Sequence, residues 1–302
     1  PKSALSEFYS LRLPSMEEVF ADADTKHETS IEHMTEALKE AREARKELDE
    51  IAKDLKRSRD KVGWQEKART ESMLKKYEEA QRQMEGMLER VEKMMADLQN
   101  NQALSKETVQ KYQELQRMMQ ELASPEFAEA MQRLQRSMEQ LSPEAMKQAL
   151  REFTFSEENF RQSIERTLNL LKRIQIEQKV DEAIRRTEEM IRGQEDLQEK
   201  TGNVSGEDKR VMDELARDQL TIQEKRAGLQ RELAELGKKM EEFPAEMPLA
   251  EMTKAEKELA EGGMEQQIGE SAQHLQAMQP QRASQAQQKA TGSMKTLAQQ
   301  LR

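Results

Sequence analysis

Apolar residues recur at every third or fourth position through most of this chain. One row runs Ile31, Met34, Leu38, Ala41, Leu48, Ala52, Leu55 and Val62, with Arg45 and Arg59 as polar interruptions. Alternating steps of three and four make a heptad seam, the mark of one helix lying along another. A second row runs Met73, Tyr77, Ala80, Met84, Met87, Val91, Met94 and Leu98, four residues out of step with the first. The slip falls near Gly63-Trp64. A four-residue slip is a stutter that locally unwinds a supercoil. No Pro or turn cluster breaks the chain there, so one continuous helix over 16–99 is expected, roughly 125 Å long at about 1.5 Å per residue. A bend or a hairpin turn at Gly63 is the alternative, since Gly weakens a helix.

Helix starts are written clearly. Ser15-Met16-Glu17-Glu18 is an S-x-x-E capping box. Ser105 opens the next helix. Ser124-Pro125-Glu126 and Ser142-Pro143-Glu144 repeat one signal, with Ser at the cap, Pro at the first helical position and Glu in the first turn. Ser156 opens a long helix, with Phe155 and Phe160 at staple positions and a row through Ile164, Leu168, Leu171, Ile174, Val180, Ile184, Ile191 and Leu197. Ser205 caps another long helix that Phe243-Pro244 stops. The link between these two is about four residues, and so short a link makes antiparallel neighbours. Helices 157–201 and 206–242 are therefore expected to form a hairpin. Thr253-x-x-Glu256 caps a short helix ended by Gly262-Gly263, and Met264–Met278 forms another. The remainder is Gln- and Ala-rich and weakly amphipathic, so fraying is expected.

The expected fold class is all-α: long coiled-coil helices, a helical hairpin and several short helices in an elongated molecule. Five regions follow. Residues 1–14 are an arm or the end of a preceding β-rich unit. Residues 15–101 are the long coiled-coil helix, 102–155 a cluster of short helices, 156–243 the antiparallel hairpin, and 244–302 the Gln/Ala-rich helical end.

Composition agrees. Of 302 residues, 36% are charged and 4% aromatic, with 11 Gly and 7 Pro. That is too little punctuation for a sheet protein and suits long helices. No Cys is present, which excludes disulfides, thiolate metal sites and a Cys nucleophile. No apolar run reaches the length of a bilayer-spanning helix. The chain begins at Pro1, so a signal or anchor upstream is compatible with this sequence. A net charge of −10 disfavours a nucleic-acid partner, because phosphate neutralisation needs surplus Lys and Arg.

Candidate chemistry is sparse. His27 and His33 are six apart, about 240° around a helix, and cannot chelate one ion from a single face. They read as exposed residues of a polar helix. Glu17-Glu18, Glu78-Glu79 and Glu188-Glu189 sit among Lys and Arg, whereas acid–base work needs a buried carboxyl with a raised pKa. No phosphate loop or G-x-S-x-G occurs. Catalytic, cofactor-binding and metal residues are therefore expected to be none. The Met stripe (84, 87, 94, 95, 118, 119, 131, 138, 146) reads first as filler of irregular helix seams and second as an adaptable partner surface. Trp64 sits at the slip, either packing over it or contacting a partner. Arg282, Lys289, Lys295 and Arg302 make a basic tail too thin for a membrane patch, and read as solvated.

Leu150–Thr201 (LREFTFSEENFRQSIERTLNLLKRIQIEQKVDEAIRRTEEMIRGQEDLQEKT) resembles the core of a bacterial family of unknown function. Its members resemble large envelope proteins with N-terminal transmembrane helices, a β-rich middle and a long Glu/Gln/Met-rich helical region. EFYSLRLPSMEEVF at 7–20 is similar to that family's junction between β part and helices, and Gly262-Gly263 with the Gln/Ala helices to its end. The resemblance implies the soluble helical region of an envelope protein, on the periplasmic side or, alternatively, in the cytoplasm. It brings no catalytic motif.

The function expected is a non-enzymatic scaffold mediating protein–protein assembly in the bacterial envelope. Its partners are other proteins, self-association included, without cofactor or nucleic acid, and with membrane contact only through an anchor outside this chain. The alternative is an amphipathic-helix protein lying on lipid. That requires broad apolar arcs flanked by Lys, and the rows here are narrow.

Overall fold

The computed structural model describes residues 14–57, 63–122, 125–140, 142–204 and 208–302, which are helical almost throughout and contain no strand. The fold is all-α. The arm expected over 1–14 lies, apart from Pro14, outside the described residues. The chain divides into two compact units, 1–172 and 173–302.

In the first unit, α1 (Met16–Arg57) and α2 (Trp64–Asn100) are separate helices. The expected continuous helix over 16–99 is thus corrected. Lys76 Nζ reaches Glu47 at 2.7 Å, Arg69 pairs with Asp54 at 3.4 Å, and Lys26 pairs with Asp97 at 3.1 Å. One partner's number rises as the other's falls, so α2 runs back antiparallel along α1. The four-residue slip marks this reversal. Two rows out of step cannot form one seam, but they can face each other across a hairpin, and Met34, Leu38, Leu48 and Leu55 are buried with Met73, Tyr77, Met84 and Val91. Burial of such side chains contributes about 1.5–3 kcal/mol each.

α3 (Lys106–Leu122) packs against α2. α4 (Pro125–Glu139) follows, and then α5 (Pro143–Gly202), a single 60-residue helix. Here a second expectation is corrected: Ser156 does not start a helix but lies inside α5. Neither Gly nor Pro stands between Leu150 and Phe160. Phe153, Glu157, Phe160 and Ile164 fall on one face and are buried, so continuing the helix hides them all. The short-helix cluster of 102–155 and the hairpin region of 156–243 therefore share one helix.

The second unit contains residues 173–202 of α5, then α6 (Lys209–Met240), α7 (Leu249–Glu261), α8 (Met264–Gln276) and α9 (Pro280–Leu301). Arg186 bonds Glu232, and Gln194 bonds Gln219 at 2.8 Å, so α6 runs antiparallel to this part of α5. Lys295 pairs with Glu195 at 2.8 Å and Arg302 with Glu188 at 2.6 Å, so α9 runs antiparallel to it as well. The expected fraying of the Gln/Ala-rich end is corrected. Ala283, Ala286, Ala290, Met294, Leu297, Ala298 and Leu301 are buried, because small side chains let helix backbones approach closely. α7 starts at Leu249, four residues before the expected cap Thr253, whose hydroxyl instead donates to the Leu249 carbonyl.

Among the described residues, two turns use left-handed residues other than Gly. Gln102 (φ 52°) ends α2, with the Ala103 N–H reaching back to the Leu98 carbonyl at 2.8 Å. Met278 (φ 60°) follows α8, with the Gln279 N–H on the His274 carbonyl at 2.8 Å. Both are the six-to-one closure that usually recruits Gly.

The antiparallel α1/α2 pair has a direct test. Zero-length carbodiimide coupling of the purified chain should join Lys76 to Glu47, read as a linked peptide by mass spectrometry. A straight helix would hold the two roughly 40 Å apart, and absence of that peptide while the Lys93–Glu89 pair couples would refute the hairpin.

Candidate functional site

The polar groups buried in each unit define where chemistry could occur. In the first unit the polar interruption at Arg45 has a partner. Its guanidinium donates to Glu157 at 2.9 Å and to the Thr154 carbonyl at 3.4 Å, tying α1 to α5. The Glu157 side chain is 0% exposed, and its other oxygen lies 3.6 Å from Arg161 Nε. Burial pushes the Glu157 carboxyl up, with Arg45 and then Tyr77 pulling against that rise. Burial and the neighbouring Glu157 push the Tyr77 phenol upward too. The Tyr77 hydroxyl donates to the Ala41 carbonyl at 3.2 Å. Its ring meets Phe127, Phe153 and Phe160 edge-on, while Phe127 stacks on Phe160 with centroids 4.3 Å apart. A raised carboxyl beside a phenol resembles acid–base equipment. Here the carboxyl is fully buried and salt-bridged to Arg45, which ties α1 to α5.

In the second unit, the Gln219 side-chain oxygen accepts three hydrogen bonds. They come from Gln194 at 3.1 Å, Ser271 at 2.9 Å and Gln287 at 3.1 Å. Gln219 returns an N–H to Gln194 at 2.8 Å, and Gln287 also donates to Thr201 at 3.2 Å. One amide thus joins α5, α6, α8 and α9 in a buried polar layer. Arg226, 4% exposed, donates to the Leu259 carbonyl at 2.9 Å and to Glu265 at 2.6 Å. It fixes the end of α7 and the start of α8 on either side of the Gly262-Gly263 turn, where Gly263 takes φ 77°.

The sequence candidates are distributed as follows. Ser15 and Glu18 exchange hydrogen bonds at 2.8 and 3.2 Å. Ser105 accepts from the Thr108 N–H at 3.1 Å, and Ser142 from the Ala145 N–H at 3.3 Å. Ser124 and Ser205 lie outside the described residues, and the cap of α6 is Asp208, which accepts from Arg210 and Val211. His27 is not exposed as expected. It is buried, with Nε2 2.6 Å from the Tyr112 hydroxyl, joining α1 to α3. Among the described residues no group of His, Asp and Glu is arranged to hold a metal ion, and no helix is long and apolar enough to cross a membrane. Of the Met stripe all but Met118 are buried in helix seams. Lys295 and Arg302 of the basic tail are not simply solvated but pair with α5. Trp64, at the first position of α2, does not pack over the slip: it is 82% exposed. Among the described residues Phe155 is the other strongly exposed ring, beside a groove of about 490 Å³ between α4 and α5 lined by Glu126, Glu129, Arg133, Arg151 and Glu152.

Sequence reasoning missed the two polar clusters, Arg45–Glu157 and the Gln219 layer. The signal was present at Arg45, which interrupts a seam. It was present as well at Gln219, between Leu215 and Ile222, and at Gln194, between Ile191 and Leu197, whereas nothing local sets Gln287 apart from the other Gln of its helix. The chain matches no protein-family model, no curated protein and no solved structure.

Two substitutions probe these clusters. In the unfolded chain Glu157 ionises in the ordinary Glu range, and in the folded chain at higher pH. Stability therefore falls as pH rises between the two and stays low above them. Glu157→Gln should melt at higher temperature than the parent at neutral pH, with the two converging in acid. A lower melting temperature at neutral pH would mean that pairing with Arg45 outweighs burial. Gln219→Leu strands three donors at about 1–3 kcal/mol each. Amide hydrogen exchange in α6, α8 and α9 should then speed up roughly a hundredfold, and unchanged exchange would show that the layer does not hold these helices.

Proposed function

We propose that this chain is a non-enzymatic coiled-coil scaffold that mediates protein–protein assembly in the bacterial cell envelope, on the periplasmic side. The observation that supports it is the use made of the buried groups. The apolar rows, and the polar residues that interrupt them at Arg45, Gln194 and Gln219, are engaged with other helices. What the helices offer outward is charged surface with an exposed ring, Phe155, a combination suited to binding other proteins, a second copy included. The envelope location rests on the resemblance carried by Leu150–Thr201 and residues 7–20. Lying on lipid along helix faces is the weaker reading, since α1, α2, α6 and α9 already turn their apolar rows inward.

Photo-crosslinking from exposed positions of α1 and α4 in native cells, followed by mass spectrometry, tests the proposal. A small, reproducible set of envelope proteins, or the chain itself, is the expected recovery. Recovery only of cytosolic proteins would remove the envelope, and recovery of none would remove the scaffold.

A further inference from the structure

Trp64 is the single Trp of the chain. It stands at the end of the α1/α2 pair where one helix gives way to the other, and it is 82% exposed. Its surroundings invert the charge of the whole protein. Among the described residues of 53–69, Lys53, Lys56, Arg57, Lys67 and Arg69 stand against Asp54 and Glu66, in a chain of net charge −10. Lys53 and Lys56 are exposed on the last turns of α1, and Lys67 lies in the first turn of α2, partly exposed. We infer that this end of the hairpin docks on an anionic lipid surface, with the Trp64 indole in the headgroup region and Lys53, Lys56 and Lys67 against the lipid charge. This is independent of the scaffold reading, and concerns a contact made by one end of two helices rather than by helix faces.

Three physical points select lipid over a protein partner. A stable protein interface covers about 800 Å² on each side, whereas one indole offers at most roughly 250 Å². Among the described residues, the large apolar ones nearest in sequence, Leu55, Met73 and Leu74, are buried and add nothing outward. A bilayer interface needs no complementary pocket. It accepts a lone amphipathic ring at headgroup depth, where Trp is enriched. Lysines within a Debye length of an anionic leaflet supply the remaining attraction, each acting nearly independently.

Because Trp64 is the only indole, its fluorescence reports the contact directly. The full chain is titrated with vesicles of phosphatidylcholine alone, and of phosphatidylcholine and phosphatidylglycerol in equal parts. The emission should shift to the blue only with the anionic vesicles, be quenched by lipid brominated near the headgroup, and revert on raising salt. Flotation should give the same order. Trp64→Ala should weaken flotation with anionic vesicles roughly tenfold. Lys56→Gln with Lys67→Gln should weaken it roughly thirtyfold, the effect of two surface charges. All three positions are exposed or half-exposed, and unchanged helix content by circular dichroism certifies the variants. Emission that stays at the position of a solvated indole on anionic vesicles overturns the proposal. So does flotation that Trp64→Ala leaves unchanged. A blue shift with soluble polyglutamate and none with vesicles assigns the tip to an acidic protein surface, and likewise overturns it.

Discussion

An amphipathic helix in water has an apolar stripe that must be covered, and that single requirement organises both units. α1 is covered by α2, and α6 by α7 and α8. The coverage needs neither sheet nor cofactor, only helices whose three-and-four spacings face one another. Gly63 precedes α2 and Pro280 opens α9, whereas Gly86, Gly193, Gly228, Gly237, Gly269 and Gly292 lie within helices and end none of them. The lengths of the helices thus follow from where coverage begins and ends.

Polar groups inside such seams cannot be tolerated singly, because a buried donor or charge without a partner costs more than the seam residue it replaces would gain. In both units they come in sets. Arg45 from α1 meets Glu157 from α5. His27 from α1 meets Tyr112 from α3. Gln219 from α6 meets Gln194, Ser271 and Gln287 from three further helix segments. Hydrophobic seams are permissive about partner and register, whereas these sets are not, since their bonds form in only one arrangement of the helices.

The helical class, most helix starts and the core positions of α1 and α2 were legible from residue spacing, because periodicity and caps are local signals. What was not legible was long-range. The step in the seam at Gly63 fits a stutter and a reversal equally well in one dimension, and contacts across the pair, such as the ion pairs from Glu47 to Lys76 and from Lys26 to Asp97, distinguish them. Ser156 carries every local mark of a cap and is overruled by the burial of Phe153, Glu157 and Phe160 on one face. In the later part of α5 the visible row through Val180, Ile184 and Ile191 is only half buried. The fully buried face is Ala183, Thr187, Met190, Gln194, Leu197 and Thr201, four of the six polar or small. Trp64 drew notice by its rarity, but whether it faced inward or outward depended on the helix reversal.

The three donors on Gln219 carry a consequence for α9. The first half of that helix presents Ala to its neighbours, at 283, 286 and 290, and a row of methyl groups there is nearly as comfortable after sliding one turn, about 5.4 Å, as before. Gln287 removes that freedom, because its amide reaches Gln219 and Thr201 from one position only. The smooth rail of alanines and the lone amide act together as slide and detent: the first lets the helix come close, the second says where it stops.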